Sequence, residues 1–309
     1  MSLGSGICAV VVNWNRPVET IECLRSLVDD RPDIRLIVVD NGSSDDSVER
    51  ISGEFPGAQI IPLGSNLGYA AGANRGITRA LEEDPEYVLL MNNDAFAERG
   101  MVDSLVSALR EEGAGMTGPK ILYTGEDRVW FAGGYFNRVW GYTRHPGMDS
   151  KVRLEKREVD FITGCAMMVR AEVFRRVGVF DERFFMYMED LDLCLRARAL
   201  GYRCLYVPEG RARHKVSASS GEGGNRMTPL RAYLYSRNMF ILISKLRGPL
   251  LITRFMGQFM IRLPYYTIAI ADRGFKGAMG CYWKAVLDGL IAMIGGRIRS
   301  PGMYLAYPR

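Results

Sequence analysis

Four short apolar runs, Cys8–Val12, Arg35–Val39, Ala58–Ile61 and Tyr87–Met91, alternate with helical patterns through the first 120 residues. The helical stretches are Val18–Leu27, a segment running through Ile51, Ala70–Leu81 and Met101–Arg110. Strands separated by helices cannot pair as tight hairpins. They imply right-handed βαβ units and a mostly parallel sheet covered on both faces. Such sheets bind ligands beyond the carboxyl ends of their strands.

The polar residues fall at those ends. The first run closes on Asn13-Trp14-Asn15-Arg16, the second on Asp40-Asn41-Gly42, the fourth on Asn92-Asn93-Asp94, and the loop after the third carries Asn66-Leu67-Gly68-Tyr69. Any one of these is ordinary turn chemistry. Four along one sheet edge point to a site. Asp40 suits a grip on a ribose or base, or a cap on the next helix, for which Ser44 and Asp45 also offer side chains. Asp94 is placed to hold a hard divalent ion against a diphosphate. The segment from Asn66 to Gly76 is neither G-x-G-x-x-G nor a P-loop, and Gly72 and Gly76, one turn apart, permit close helix packing.

A second cluster lies in Phe184–Leu193, where Glu189, Asp190 and Asp192 interrupt an apolar, aromatic run. Desolvating an unpaired carboxylate is costly, so such acids cap, pair, bind metal or do chemistry. They open a helix expected to reach Leu200 and stop at Gly201, with the acids at its positive end. An apolar setting raises a carboxyl pKa and a helix N-terminus lowers it, so the two oppose at Asp190. Around this cluster, Val129–Tyr142 reads as short aromatic-rich strands, and Val159–Val169 and Cys204–Val207 as further strands, with a short helix near Glu172–Arg176. His214, in Arg211–Lys215, is a surface residue among bases or a ligand to metal or phosphate. Ser217–Asn225 reads as a linker or a lid.

Charge divides the chain. From Arg226 onward thirteen Lys/Arg face two acids, a balance of +11, whereas the first 225 residues carry twenty-seven bases and thirty-three acids, a balance of −6. This suggests an acidic body (residues 1–225, nucleotide half about 7–120, acceptor half about 121–225) and a basic helical tail (226–309) that seeks anionic surfaces. The tail's apolar stretches fall short of about eighteen residues, so no spanning helix is expected. On a wheel Arg247, Arg254 and Arg262 share one side, with Leu251, Phe255 and Phe259 elsewhere. That suits a helix in an anionic membrane interface, or one packed on the body or in a homodimer. With no nucleic-acid module and an acidic body, nucleic acid is not an expected partner. Six scattered cysteines without a C-x-x-C pair favour a reducing cytoplasm, and the immediate entry into a strand leaves no signal peptide.

In their order along the chain, Val12-Asn13-Trp14-Asn15, Val39–Asp45, Asn66–Ala70, Asn92-Asn93-Asp94 and Glu189–Asp192 resemble the pattern of glycosyltransferase family 2, in the GT-A fold. The likeness covers roughly residues 7–245 and is nearest to the rhamnosyltransferase-like branch, which also shows an Arg-Asn pair like Arg237-Asn238 after a Tyr-rich segment. It implies a Rossmann-like α/β domain with a central mixed sheet flanked by helices, followed by the amphipathic helical extension. It also implies inverting transfer of a hexose, rhamnose among them, from a nucleoside-diphosphate sugar to a saccharide or lipid-linked saccharide, and the basic tail would set such a cytoplasmic enzyme on the inner face of the cell membrane. Asn13, Asn15, Arg16, Asp40, Asn41, Gly42, Asn66, Gly68, Asn92, Asn93, Arg237 and Asn238 would serve the nucleotide sugar. Asp94, with His214, would hold Mg²⁺ or Mn²⁺, although Asn92 replaces the first acid of the family's D-x-D. Asp190 would be the base, with Glu189 and Asp192 orienting acceptor or base. The alternatives are a sugar-phosphate nucleotidyltransferase, which would open with a Gly-rich loop and a base after strand one, and a non-catalytic sugar-binding module, which would need no base.

Overall fold

The computed structural model describes residues 6–111, 113–148, 150, 155–215, 228–246, 248–273 and 277–295. The Ser217–Asn225 segment and Arg247 lie outside the described residues. Two compact units are present, one from Met1–Tyr135, His145–Glu182 and Asp190–Lys215, the other from Phe136–Arg144, Arg183–Glu189 and Val216–Arg309.

The first unit opens with β1 (Ile7–Asn13), α1 (Pro17–Asp30), β2 (Arg35–Asp40), α2 (Ser47–Glu54), β3 (Gln59–Pro62), α3 (Tyr69–Glu82), β4 (Tyr87–Asn92), β5 (Ala95–Ala97) and α4 (Met101–Leu109). β1 pairs in parallel with both β2 and β4, and β2 with β3. Flanked on both sides and covered by helices, Cys8, Ala9, Val10 and Val11 are buried, each full-sized aliphatic side chain contributing about 1.5–3 kcal/mol. The register sets Asn13 beside Asp40 and Val12 beside Asn92, which brings the polar strand ends level. α3 approaches closely because its inner face is small: a Cβ at Gly76 would collide with Val10 and lie 3.1 Å from Val39 Cγ2.

Next come β6 (Ala114–Tyr123), β7 (Val129–Phe131), β8 (Tyr135–Asn137), β9 (Tyr142–Arg144), β10 (Arg157–Val159), β11 (Ala166–Arg170), α5 (Ala171–Val177), α6 (Glu189–Ala199) and β12 (Arg203–His214). The main sheet runs β10-β12-β6-β11-β4-β1-β2-β3, with β11 antiparallel to both neighbours. The sheet is therefore mixed, its parallel part limited to β4-β1-β2-β3 and the β6–β12 pair. The expected single strand over Val159–Val169 is two strands in different parts of the sheet, β10 at its edge and β11 inside it. Thr163-Gly164 breaks the run and lets the chain turn between them.

The second unit is dominated by α7 (Pro229–Lys245), α8 (Pro249–Arg273) and α9 (Ala278–Met293). α7 and α9 meet where Gly289 accommodates the Phe240 ring, and Tyr233 Oη donates to the buried Asp288 at 2.7 Å. Phe255 and Phe259 of α8 pack edge-on against Phe240 at 5.3 and 5.1 Å between ring centres. α8 does not have the simple basic face that a wheel suggests. Arg254 and Arg262 are exposed, but so are Leu250, Ile261 (81%), Tyr265 and Ile268. Among the described residues no helix is long and apolar enough to cross a membrane.

Candidate active site

At the ends of β1, β2 and β4 the polar side chains form one connected chain. Asn93 Nδ2 donates to Thr20 Oγ1 (3.2 Å), and Thr20 Oγ1 to Asn13 Oδ1 (2.7 Å). Asn13 Nδ2 donates to Asp40 Oδ1 (2.7 Å), which also accepts from Ser43 Oγ (2.6 Å). Ser43 in turn accepts from Asn15 N, and Asn15 Oδ1 from Ser44 N. A parallel set ties Asn41 Nδ2 to Asn66 Oδ1 and Gly68 O, while Leu67 N donates to Asn41 Oδ1. Asn13, Asp40 and Asn41 are buried, and Asn15, Arg16, Gly42, Asn66, Asn92 and Asn93 are half-buried. The buried three thus frame the rim, and the half-buried six present it. Asp40 Oδ2 accepts only Ser43 N among these bonds and keeps acceptor capacity for an N–H of a base.

Asp94 sits in the turn between β4 and β5, 120 positions from His214. β5 pairs antiparallel with β12 in a register that sets Ala95 beside His214, so His214 Nε2 lies 3.0 Å from Asp94 Oδ1. Both residues are buried. Burial alone would lower the His214 pKa, but the adjoining Cys165 and the Asp94 carboxylate outweigh it and push it up to about 10. Asp94 Oδ2 is buried with no hydrogen-bond partner among the described residues. An orphaned carboxylate oxygen beside an imidazole fits a Mg²⁺ or Mn²⁺ ion. No group of three or more His, Cys, Asp or Glu assembles among the described residues, so the remaining ligands would be diphosphate oxygens and water.

Asp190, second residue of α6, is held from the β11 side. Gly164 N donates to its Oδ2 (2.9 Å) and Leu191 N to its Oδ1 (2.7 Å), while Tyr69 Oη donates to Gly164 O (3.1 Å). Burial raises the Asp190 pKa against the lowering effect of these backbone bonds and of the Thr163 hydroxyl. Of the two opposing effects, desolvation wins. Cys165 feels the charges of both Asp94 and Asp190, so the two acids share one neighbourhood.

The remaining candidates take up the following places. Asp192 is buried and ion-paired with Arg196 (2.8 Å), whose other nitrogens donate to Val177 O and Val179 O. Through Arg196 it ties α6 to the turn after α5. Arg237 and Asn238 are fully buried; Arg237 Nη2 and Asn238 Nδ2 donate to main-chain carbonyls of residues 183–187, and Arg237 Nε and Nη2 donate to Asn238 Oδ1. Glu189 is buried at the start of α6.

Sequence reasoning missed Thr20, Ser43, Thr163-Gly164 and Trp130, whose ring lies edge-on to His214 at 4.4 Å between centres. The polar Thr-Gly break inside an apolar run was a usable signal for the third. The others are unremarkable in sequence.

Residues 8–178 match the family model described as Glycosyl transferase family 2. Over 237 residues the chain is 33% identical to an N-acetylglucosaminyl-diphospho-decaprenol L-rhamnosyltransferase of Mycobacterium tuberculosis, covering 70% of this chain and 77% of that one. A dTDP-rhamnosyl transferase RfbF of Shigella flexneri is 25% identical over 303 residues, 95% of this chain and 98% of its own. Among solved structures, GalNAc-T7 with UDP, GalNAc and Mn²⁺ superposes with a TM-score of 0.60 at 14% identity, a likeness of fold over 88% of this chain and 59% of that one. With the family's match spanning more than half of the sequence and a GT-A sheet beneath it, this chain belongs to glycosyl transferase family 2, in its rhamnosyltransferase-like branch.

Proposed function

We propose that this hexosyltransferase moves rhamnose, with inversion, from a nucleoside-diphosphate donor to a saccharide carried on a lipid diphosphate. The observation that carries the reading is a half-buried Asp190, held by Gly164 N and Leu191 N with its pKa raised, in the same neighbourhood as an Asp94 oxygen that has no hydrogen-bond partner among the described residues. Names of relatives support the sugar and the acceptor class.

The half-buried rim of Asn15, Arg16, Asn66, Asn92 and Asn93 takes the nucleotide, and the buried Asn13–Asp40–Asn41 frame keeps that rim in place. Asp190 accepts the proton of the acceptor hydroxyl as its oxygen attacks the anomeric carbon, and the sugar–phosphate bond breaks with its electrons on the diphosphate. Asp190's raised pKa makes it a better acceptor than an ordinary surface carboxylate. Asp94 and His214 would hold a Mg²⁺ or Mn²⁺ ion, which would supply positive charge against the departing diphosphate. A diphosphate is already a good leaving group, so one carboxylate suffices where glycosidases use two. A lipid-linked acceptor would place the enzyme at an anionic membrane surface on the cytoplasmic side, which the basic tail and the exposed apolar residues of α8 support.

The test is turnover with dTDP-rhamnose and other nucleoside-diphosphate sugars, with Mn²⁺, Mg²⁺ or chelator, the product's anomeric configuration being read by NMR. Metal-dependent transfer with inversion is expected. Retention of configuration, or hydrolysis of every donor without transfer, would overturn the proposal.

A further inference from the structure

The segment that leads into Asp190 is held in an unusual backbone. Phe185, Tyr187 and Met188 have φ of 66°, 72° and 71°, a left-handed region that side chains with a Cβ enter at a cost of about 1–3 kcal/mol each. Three such residues within four positions persist only where the surroundings over-determine them. The fully buried pair Arg237 and Asn238 on α7 supplies that determination. Arg237 Nη2 donates to Arg183 O and Phe184 O, both at 2.9 Å. Asn238 Nδ2 lies 2.9, 2.9 and 2.8 Å from the carbonyls of Phe184, Met186 and Tyr187. Arg237 also donates to Asn238 Oδ1 through Nε (3.0 Å) and Nη2 (2.7 Å), which turns the amide so that its NH₂ faces the loop. Four carbonyls of one strained segment therefore converge on two adjacent side chains.

We propose that Arg237 and Asn238 are positioning residues for transfer: they clamp residues 183–187 and so set the path of the chain into Glu189 and Asp190. This rests on Asp190 being the base. Without the clamp, φ at Phe185, Tyr187 and Met188 relaxes toward negative values and swings the following peptide. The loop keeps other anchors, since Phe185 packs among Tyr233, Leu234, Cys281 and Ala285 and Tyr187 stacks on Tyr235 at 4.4 Å. Loss of the clamp should therefore misdirect the segment more than unfold it.

The experiment is a double-mutant cycle of Asn238→Ala with Asp190→Asn in the full chain, reading kcat, donor KM and calorimetric affinity for the nucleoside diphosphate. Asn238→Ala should lower kcat about 100-fold, as displacement of a reacting group by an ångström does, with nucleotide affinity unchanged. In the Asp190→Asn background it should lower kcat little further, because a residue acting through the base has nothing left to position. Unchanged kcat in Asn238→Ala, an additive loss in the double variant, or an equal loss of nucleotide affinity would each overturn the clamp. Near-parental turnover in Asp190→Asn alone would instead overturn the base assignment. If Asn238→Ala does not fold, Arg237→Lys keeps the charge but not the two-carbonyl reach, and takes its place in the same cycle with the same criteria.

Discussion

Replacing Asp190 by Asn preserves volume, and the bonds around it set what else changes. Its two oxygens accept from different backbone donors, Gly164 N at 2.9 Å and Leu191 N at 2.7 Å. An amide has one acceptor oxygen, so in Asp190→Asn one of these N–H groups faces an NH₂ instead. Losing that bond costs about 1–3 kcal/mol, and the relief of burying a neutral group offsets part of it. A melting temperature lower by roughly 2–6 °C follows for a chain of this size. Removing the base should cut turnover by about 10²–10⁴-fold, far beyond what that loss of folding stability explains. Initial rates, a thermal melt and calorimetric nucleotide binding on the same preparation separate the three effects. Turnover within a few-fold of the parent, with the melt shifted as expected, would refute the assignment. The pH profile offers a second reading of the same group. Burial raises Asp190 above the ordinary value of 3.8, and the base acts only when ionised. The acid limb of kcat/KM should lie above that value in the parent and vanish from the variant's residual rate. In stability the sign is opposite. A raised folded pKa favours the protonated native state, so Asp190's contribution is present at low pH and is lost as pH rises through the folded value.

Asp94→Ala should abolish the gain in nucleoside-diphosphate affinity that Mn²⁺ gives the parent, and calorimetry showing an unchanged gain would remove Asp94 from the metal site. Asp192→Asn should lower stability by about 1–3 kcal/mol, through its tie to Arg196, while kcat holds; a collapse of kcat in a well-folded variant would restore a direct role. Gly76→Ala drives a methyl into Val10 and Val39 and should cost about 1–3 kcal/mol despite alanine's better helix propensity, so a urea midpoint at or above the parent's would show that α3 has room to shift.

The alternation of apolar runs and helical stretches determined the β1–β4 half of the sheet to within a residue or two, because periods of 2 and 3.6 are local properties of the chain. The polar strand ends followed from it, since a parallel register can only bring them to one edge. Asp190 at the head of α6 was equally legible, as a carboxylate in an apolar run at a helix start. Everything that depended on a distant partner was left to the tertiary structure. Asp94 meets His214 only because β5 pairs with β12, and no periodicity encodes that pairing. Asp192 and Asp190 stand two apart on one helix, yet one turns to Arg196 and the other to Gly164, so only their neighbours tell an ion-paired carboxylate from the one proposed as the base. Arg237 and Asn238 look like ligand-binding residues as letters. Their full burial against four main-chain carbonyls makes them the scaffold of a strained loop, a role that exists only once the chain has folded back on itself.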